Sequence, residues 1–183
     1  IKHLFVQVRG RGDSYYNSEF EPHASDVPPG FDPLQYLIKK MGKRDIKIHA
    51  WINISFVLNP ETNPIDTKHI LSKHPQWVTY DYTGRAMTTY SKKELDKNLL
   101  EGYFLDPAIP EVKNYVVNIV KDILSKYPVD GIHLDYIRYP YSGYNPYFKK
   151  YLSDFGYNPI ARKIFKKQYG IDPMIINRYK DSP

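Results

Sequence analysis

Between Ile46 and Ile54 the chain reads Ile-Lys-Ile-His-Ala-Trp-Ile-Asn-Ile. Drawn as a strand, Ile46, Ile48, Ala50, Ile52 and Ile54 fall on one side and Lys47, His49, Trp51 and Asn53 on the other. Such a strand has an aliphatic face to bury and a polar-aromatic face to keep open. A half-exposed antiparallel strand satisfies this pattern, and so does a barrel strand whose second face meets a ligand. The flanking segments favour the barrel. Ile1, Leu4, Phe5, Val6 and Val8 form an earlier β-rich run. Asp32 is a good N-cap, Pro33 fits the first helical position, and Leu34, Leu37, Ile38 and Met41 recur at helical spacing, which predicts a helix over 33–43. Pro110 opens a second helix whose stripe is Val112, Tyr115, Val116, Ile119, Val120, Ile123, Leu124 and Tyr127; Pro128 ends it. Gly131 to Ile137 is then a strand closed by Pro140.

Two short helices are expected to finish the chain. Each opens with Asn-Pro, at 145–146 and 158–159, and closes at a glycine, Gly156 and Gly170. Residues 55–105 are irregular, with a short helix near 66–73 and a hairpin around Asp81-Tyr-Thr-Gly84. This is a long excursion for a compact domain, and long loops are usually functional or mobile. Strands alternating with helices imply right-handed βαβ units and a parallel sheet. The fold class is therefore α/β, and a (β/α)8 TIM barrel is the expected architecture. A complete barrel takes about 250 residues. The 183 residues supply three or four of its eight strands. The first residue falls inside a strand pattern and the last six residues, Arg178 to Pro183, carry no element. Residues 1–183 are therefore expected to be part of one barrel domain, truncated at both ends. A half barrel would expose apolar edges, so the missing half, or a second copy, is an expected partner.

Composition narrows the function. Cysteine is absent, which excludes disulfides, thiolate metal sites and thiol nucleophiles. No run of apolar residues is long enough for a transmembrane helix. The net charge of +6 is mild and its basic residues are spread along the chain, so a solvated surface is the better reading and no nucleic-acid partner is expected. Aromatic content is high, with 18 Tyr, 8 Phe and 2 Trp. Much of that is core. Tyrosine on this scale also suits sugar-binding clefts, where a ring face stacks on a pyranose while the hydroxyl bonds to its rim.

In parallel α/β folds ligands meet the carboxyl ends of the strands. The first strand offers Gln7, Arg9 and Asp13 there. The second offers His49, Trp51 and Asn53, and the third His133, Asp135, Tyr136 and Arg138. Asp135 is the sharpest candidate. It shares a strand face with His133, and a carboxylate among Arg and aromatic groups suits a nucleophile or general base in glycosidic cleavage. The structural alternative is an aspartate that orders loops by pairing with Arg138 or Arg9. His49 and His133 lack metal-ligand spacing, so hydrogen bonding to a substrate hydroxyl or to Asp135 is expected of them, with no metal and no cofactor. Trp51 is a stacking platform or a core residue. Arg9 and Arg138 bind an anionic ligand group or hold Asp135 or Asp13. Asp106, before Pro107, binds substrate or caps a turn.

Val129-Asp-Gly-Ile-His-Leu-Asp-Tyr-Ile-Arg-Tyr-Pro140 resembles glycoside hydrolase-like family 10. Phe5-Val-Gln-Val-Arg9 with Gly12-Asp13 is similar to that family's second barrel strand, and His49-Ala-Trp-Ile-Asn53 to its third. Leu105-Asp-Pro107 with Pro110-Glu-Val112 is similar to the lead into its third helix, and Tyr169-Gly-Ile-Asp-Pro173 also agrees. The resemblance implies a (β/α)8 barrel acting on an oligosaccharide or polysaccharide, in secreted or envelope-attached bacterial proteins. It implies that Asp135 ends the fourth strand, where α-amylase-like barrels keep a nucleophilic aspartate; His133 stands where those enzymes carry arginine. A glycosidase needs a second carboxyl group, about 5–5.5 Å away for retention or about 6.5–9.5 Å for inversion. That group is expected outside this chain. A non-catalytic carbohydrate-binding module on the same scaffold is the alternative reading.

Overall fold

The computed structural model describes residues 1–42, 44–60, 66–141, 144–145, 150–151 and 154–176. In chain order its elements are β1 (His3–Arg9), α1 (Pro33–Met41), β2 (Lys47–Asn53), β3 (Phe56–Leu58), α2 (Ile70–Lys73), α3 (Lys92–Lys97), β4 (Tyr103–Phe104), α4 (Pro110–Lys126), β5 (Gly131–Asp135), β6 (Tyr144–Asn145), β7 (Lys150–Tyr151) and α5 (Pro159–Tyr169).

The central layer is a three-stranded parallel sheet in the order β1-β2-β5. Parallel neighbours need crossovers, and α1 and α4 supply them. One sheet face is packed as the period-two pattern requires. Val8, Ala50 and Ile52 are buried against Leu34 of α1 and Ile119 and Ile123 of α4, with Val6 and Ile132 beside them. The helices start where their caps dictate. Asp32 accepts from the Gln35 amide ahead of Pro33, and Asn158 accepts from the Ile160 amide ahead of Pro159. Gly170 ends α5 at φ 77°, in the left-handed region that glycine enters without strain.

One expectation is corrected. The excursion at 55–105 is not a loose loop. Its short strands β3 and β4 pair antiparallel, and Phe56, Val57, Leu58, Ile70, Leu71, Val78, Met87, Leu95, Leu100 and Phe104 form a second buried core. The short helix α2 and the turn at Asp81–Gly84 do occur there, the turn closed by Asp81 and Arg85 backbone bonds. The first of the two expected closing helices, over 145–156, falls largely outside the described residues. Tyr144–Asn145 pairs antiparallel with Lys150–Tyr151, and Asp154 to Gly156 bonds to Tyr80 and Tyr82; residues 146–149 lie outside the described residues.

Candidate functional site

The open face of the sheet carries the residues that alternate with the buried ones. Register places them in rows: Phe5 beside His49 beside Gly131, Gln7 beside Trp51 beside His133, and Asn53 beside Asp135. The sheet therefore brings His49, Trp51, Asn53, His133 and Asp135 onto one surface, with Asp135 in the row at the carboxyl end. The rows are packed edge to face. The Phe5 ring stacks on His49 at 4.7 Å and meets His133 edge-on at 5.3 Å, and Trp51 meets His133 edge-on at 5.5 Å. His3 lies further down the same face, its Nδ1 2.9 Å from His49 Nε2. His3 and Phe5 were legible from the same alternation that marks Gln7.

The Asp135 carboxylate accepts a hydrogen bond at 2.7 Å from the amide of Tyr136. Tyr136 itself stands at φ 51°, an uncommon conformation for a bulky side chain, next to the candidate carboxylate. Packing holds it there. Its ring stacks on Phe56 at 5.1 Å, Phe104 lies at 5.8 Å, and the Arg138 guanidinium sits 4.9 Å from the ring centroid. Arg138 pairs with Glu101 at 2.8 Å, not with Asp135. The excursion, through Phe56, Glu101 and Phe104, thus forms a wall beside the end of β5. Glu101 carries no local sequence signal that marks it, because its partner is 37 residues away.

Three expected ligand contacts are corrected. Arg9 is 1% exposed and faces the helices, its guanidinium Nε donating to both Glu21 carboxylate oxygens at 2.8 and 2.9 Å. The register explains why. The β1–β2 ladder shifts between Gln7 and Arg9, so Arg9 pairs with Ile52, a helix-side residue, and the simple alternation no longer applies. Burial works against its charge, but Glu21 and Tyr115 outweigh that and raise its pKa. Glu21, the partner, was missed because nothing in its local sequence separates it from Glu19. Asp106 is 0% exposed and accepts from Tyr139 Oη at 2.7 Å, the Ala108 amide at 3.0 Å and Thr79 Oγ1 at 3.2 Å. Burial pushes its carboxyl above the ordinary range, against those hydrogen bonds, which pull it down. It is a turn cap and an anchor for Tyr139. Asn53 is buried on its row: its amide donates to the Gly10 carbonyl at 2.9 Å and its carbonyl accepts from Trp51 Nε1 at 3.1 Å. It joins β1 to β2 and orients the indole.

Asp13 lies in the loop after β1, where it accepts from the Arg11 amide at 2.7 Å. His69 of the excursion fastens that loop, its Nε2 2.8 Å from the Arg11 carbonyl and 3.0 Å from that of Val57.

The fold and site define an α/β domain with parallel strands and an acidic, aromatic and imidazole-bearing face at their carboxyl ends. The family model for glycosyl hydrolase-like 10 matches residues 1–175, and the chain belongs to that family. The glycosyl hydrolase YngK of Bacillus subtilis is 27% identical over 146 residues, covering 75% of this chain and 25% of its own. The glycosyl hydrolase DigH of Escherichia coli strain K12 is 30% identical over 144 residues, covering 74% and 30%. The solved alpha-L-fucosidase isoenzyme 2 from Paenibacillus thiaminolyticus superposes with a TM-score of 0.62 at 19% identity, over 94% of this chain and 21% of its own; that likeness concerns the fold. This chain spans between a quarter and a third of the length of those two curated relatives.

Proposed function

We propose that this chain is part of the (β/α)8 barrel of a glycoside hydrolase that cleaves glycosidic bonds in a bacterial polysaccharide or cell-envelope glycan. Asp135 is the nucleophile or base, and the second carboxyl group comes from outside this chain. The observation that carries the reading is the row order on the open sheet face, which sets Asp135 above Trp51 and His133 at the carboxyl ends of parallel strands, in a chain of a glycosyl hydrolase-like family. The outer edges of β1 and β5, with Phe5 and Leu134 half exposed, offer what flanking barrel strands would cover. Trp51 and His133 suit the pairing of a ring face with a hydrogen-bonding edge that sugars require. An extracellular or cell-envelope setting is part of the same proposal, because that is where such a glycan lies.

Chemistry follows from charge. A glycosidic transition state builds positive charge on the sugar ring, which a fixed carboxylate stabilises or captures. Asp135→Asn keeps the shape and the Tyr136 amide bond but removes that charge. In a polypeptide that completes the barrel, it is expected to lower turnover on a bacterial glycan by at least about 10³-fold while leaving the fold intact. Release of reducing ends is the measurement. Unchanged turnover sinks the reading. Saturable oligosaccharide binding with no cleavage by the unsubstituted protein would instead make this a binding module.

A further inference from the structure

We infer that Arg9, with Glu21 and Tyr115, is a positioning residue for the backbone that presents Asp135. The inference deepens the hydrolase reading and rests on it for what Asp135 does; the mechanical part stands on geometry alone.

The contacts form one continuous path. Tyr115 of α4 donates its hydroxyl to Glu21 Oε1 at 2.6 Å. Glu21 accepts Arg9 Nε on both oxygens, with Arg9 Nη2 2.7 Å away. The other edge of the guanidinium reaches across the sheet. Its Nη1 donates to the Asn53 carbonyl and to the Ile54 carbonyl, the latter at 3.3 Å. That piece of backbone, just past the end of β2, carries the next link. The Ile54 amide donates to the Asp135 carbonyl at 2.8 Å, and the Ser55 amide to the Tyr136 carbonyl at 3.1 Å. The Asp135–Tyr136 unit is therefore hung from residues 54–55, and residues 53–54 are fixed by Arg9.

Two features give this path a role beyond stability. A buried ion pair is costly to desolvate, and an apolar pair of the same volume is often as stable or more so. What an apolar pair cannot do is donate to two backbone carbonyls while its other edge is locked. A guanidinium can, because its five donors are held in one rigid plane. The second feature is Tyr136. A bulky residue at positive φ persists only where its surroundings over-determine it. Phe56 and Arg138 hold the ring from the excursion side, and the Ser55 amide holds its carbonyl from the sheet side. Loosening residues 53–55 would let the Asp135–Tyr136 unit drift, and small misplacements of a reacting group are expensive in rate.

Amide hydrogen exchange reads the mechanical part. Arg9→Lys keeps a charge but cannot bridge Glu21 and both carbonyls. Tyr115→Phe removes one hydroxyl and keeps the ring. Exchange at Ile54 and Ser55 is expected to quicken by about tenfold in Arg9→Lys and about threefold in Tyr115→Phe, while Ile119 and Ile123 in α4 stay within about twofold. Unchanged rates at Ile54 and Ser55, uniform acceleration along the chain, or collapse of Tyr115→Phe would each overturn the inference. Where cleavage is measured, Arg9→Lys is expected to lower kcat by about ten- to a hundredfold with KM within about twofold. If Asp135→Asn is inactive but folded Arg9→Lys turns over like the unsubstituted protein, positioning fails and the hydrolase reading survives. If Asp135→Asn stays active, the hydrolase reading fails and the exchange result alone judges the mechanical claim.

Discussion

The parallel sheet and the excursion at 55–105 solve the same problem with different means. In the sheet, long strands carry a period of two, and the buried face of β1, β2 and β5 is read directly from Val6, Val8, Ala50, Ile52 and Ile132. In the excursion, β3 and β4 are three and two residues long, too short to carry a period. It is held instead by a cluster of side chains from scattered turns and by buried polar anchors: Asp81, Asp106, Thr79 and His69. A sheet announces itself in the sequence because each residue repeats the instruction of the one two places back. A turn-built core has no such redundancy, and single residues decide it.

The two regions share one helix. Val112 of α4 belongs to the excursion core, Ile119 and Ile123 to the sheet core, and Tyr115 packs against both. They are accordingly expected to unfold together. Phe104→Ala is the largest test. Phe104 is fully buried between Phe56 and Tyr136, and losing the ring should cost about 3–5 kcal/mol. Denaturant unfolding followed by tyrosine fluorescence and by far-ultraviolet circular dichroism should still give one coincident transition. Two separated transitions would make the excursion an independent unit and break the comparison.

A pair of glycines sharpens it. In the excursion, a Cβ on Gly102 would stand 2.1 Å from the Leu58 carbonyl oxygen, at φ 153°. In the sheet, a Cβ on Gly131 would stand 2.6 Å from Nδ1 of His49, a side chain on the open face. Backbone has nowhere to go, whereas an imidazole can turn away from Phe5 and His3. Gly102→Ala is expected to cost roughly 3 kcal/mol and Gly131→Ala roughly 1 kcal/mol by urea midpoint. Equal costs would mean that the open face of the sheet is as rigid as the excursion core.

The same contrast governs what the sequence disclosed of the site. The strand positions of His49, Trp51, His133 and Asp135 follow from alternation, and the structure gathers them on one face. Arg9 escapes because one register shift inverts its face, an event that no periodicity encodes. Asp106 and Asn53 are polar residues beside strand ends, where a ligand contact and a structural anchor look alike in sequence; only burial and partners separate them. Glu21 and Glu101 are invisible because their partners lie 12 and 37 residues away. Family resemblance carried the identity where local pattern could not.

The smallest expected effect is electrostatic, and it lies in the excursion. The Arg85 guanidinium, with the amide and hydroxyl of Ser91, holds the Glu94 carboxyl down at about 2 from its usual 4.5. A carboxyl whose folded pKa lies below its unfolded one binds fewer protons when folded. Its contribution is therefore complete above the unfolded value and drains away as pH falls from about 4.5 toward about 2. Glu94 is well solvated and its pair with Arg85 is open to screening, so the contribution is modest and salt-sensitive. Glu94→Gln should lower the urea midpoint at about pH 6 and lower it much less at about pH 2.5, where most of the charge contribution of the unsubstituted protein has already drained away. The Gln variant keeps a side-chain acceptor for the Ser91 capping box, so the pH-dependent part isolates the charge. A difference that stayed constant from about pH 6 to about pH 2.5 would assign Glu94 to capping alone, and would leave the excursion held together by packing and hydrogen bonds without help from its surface charge.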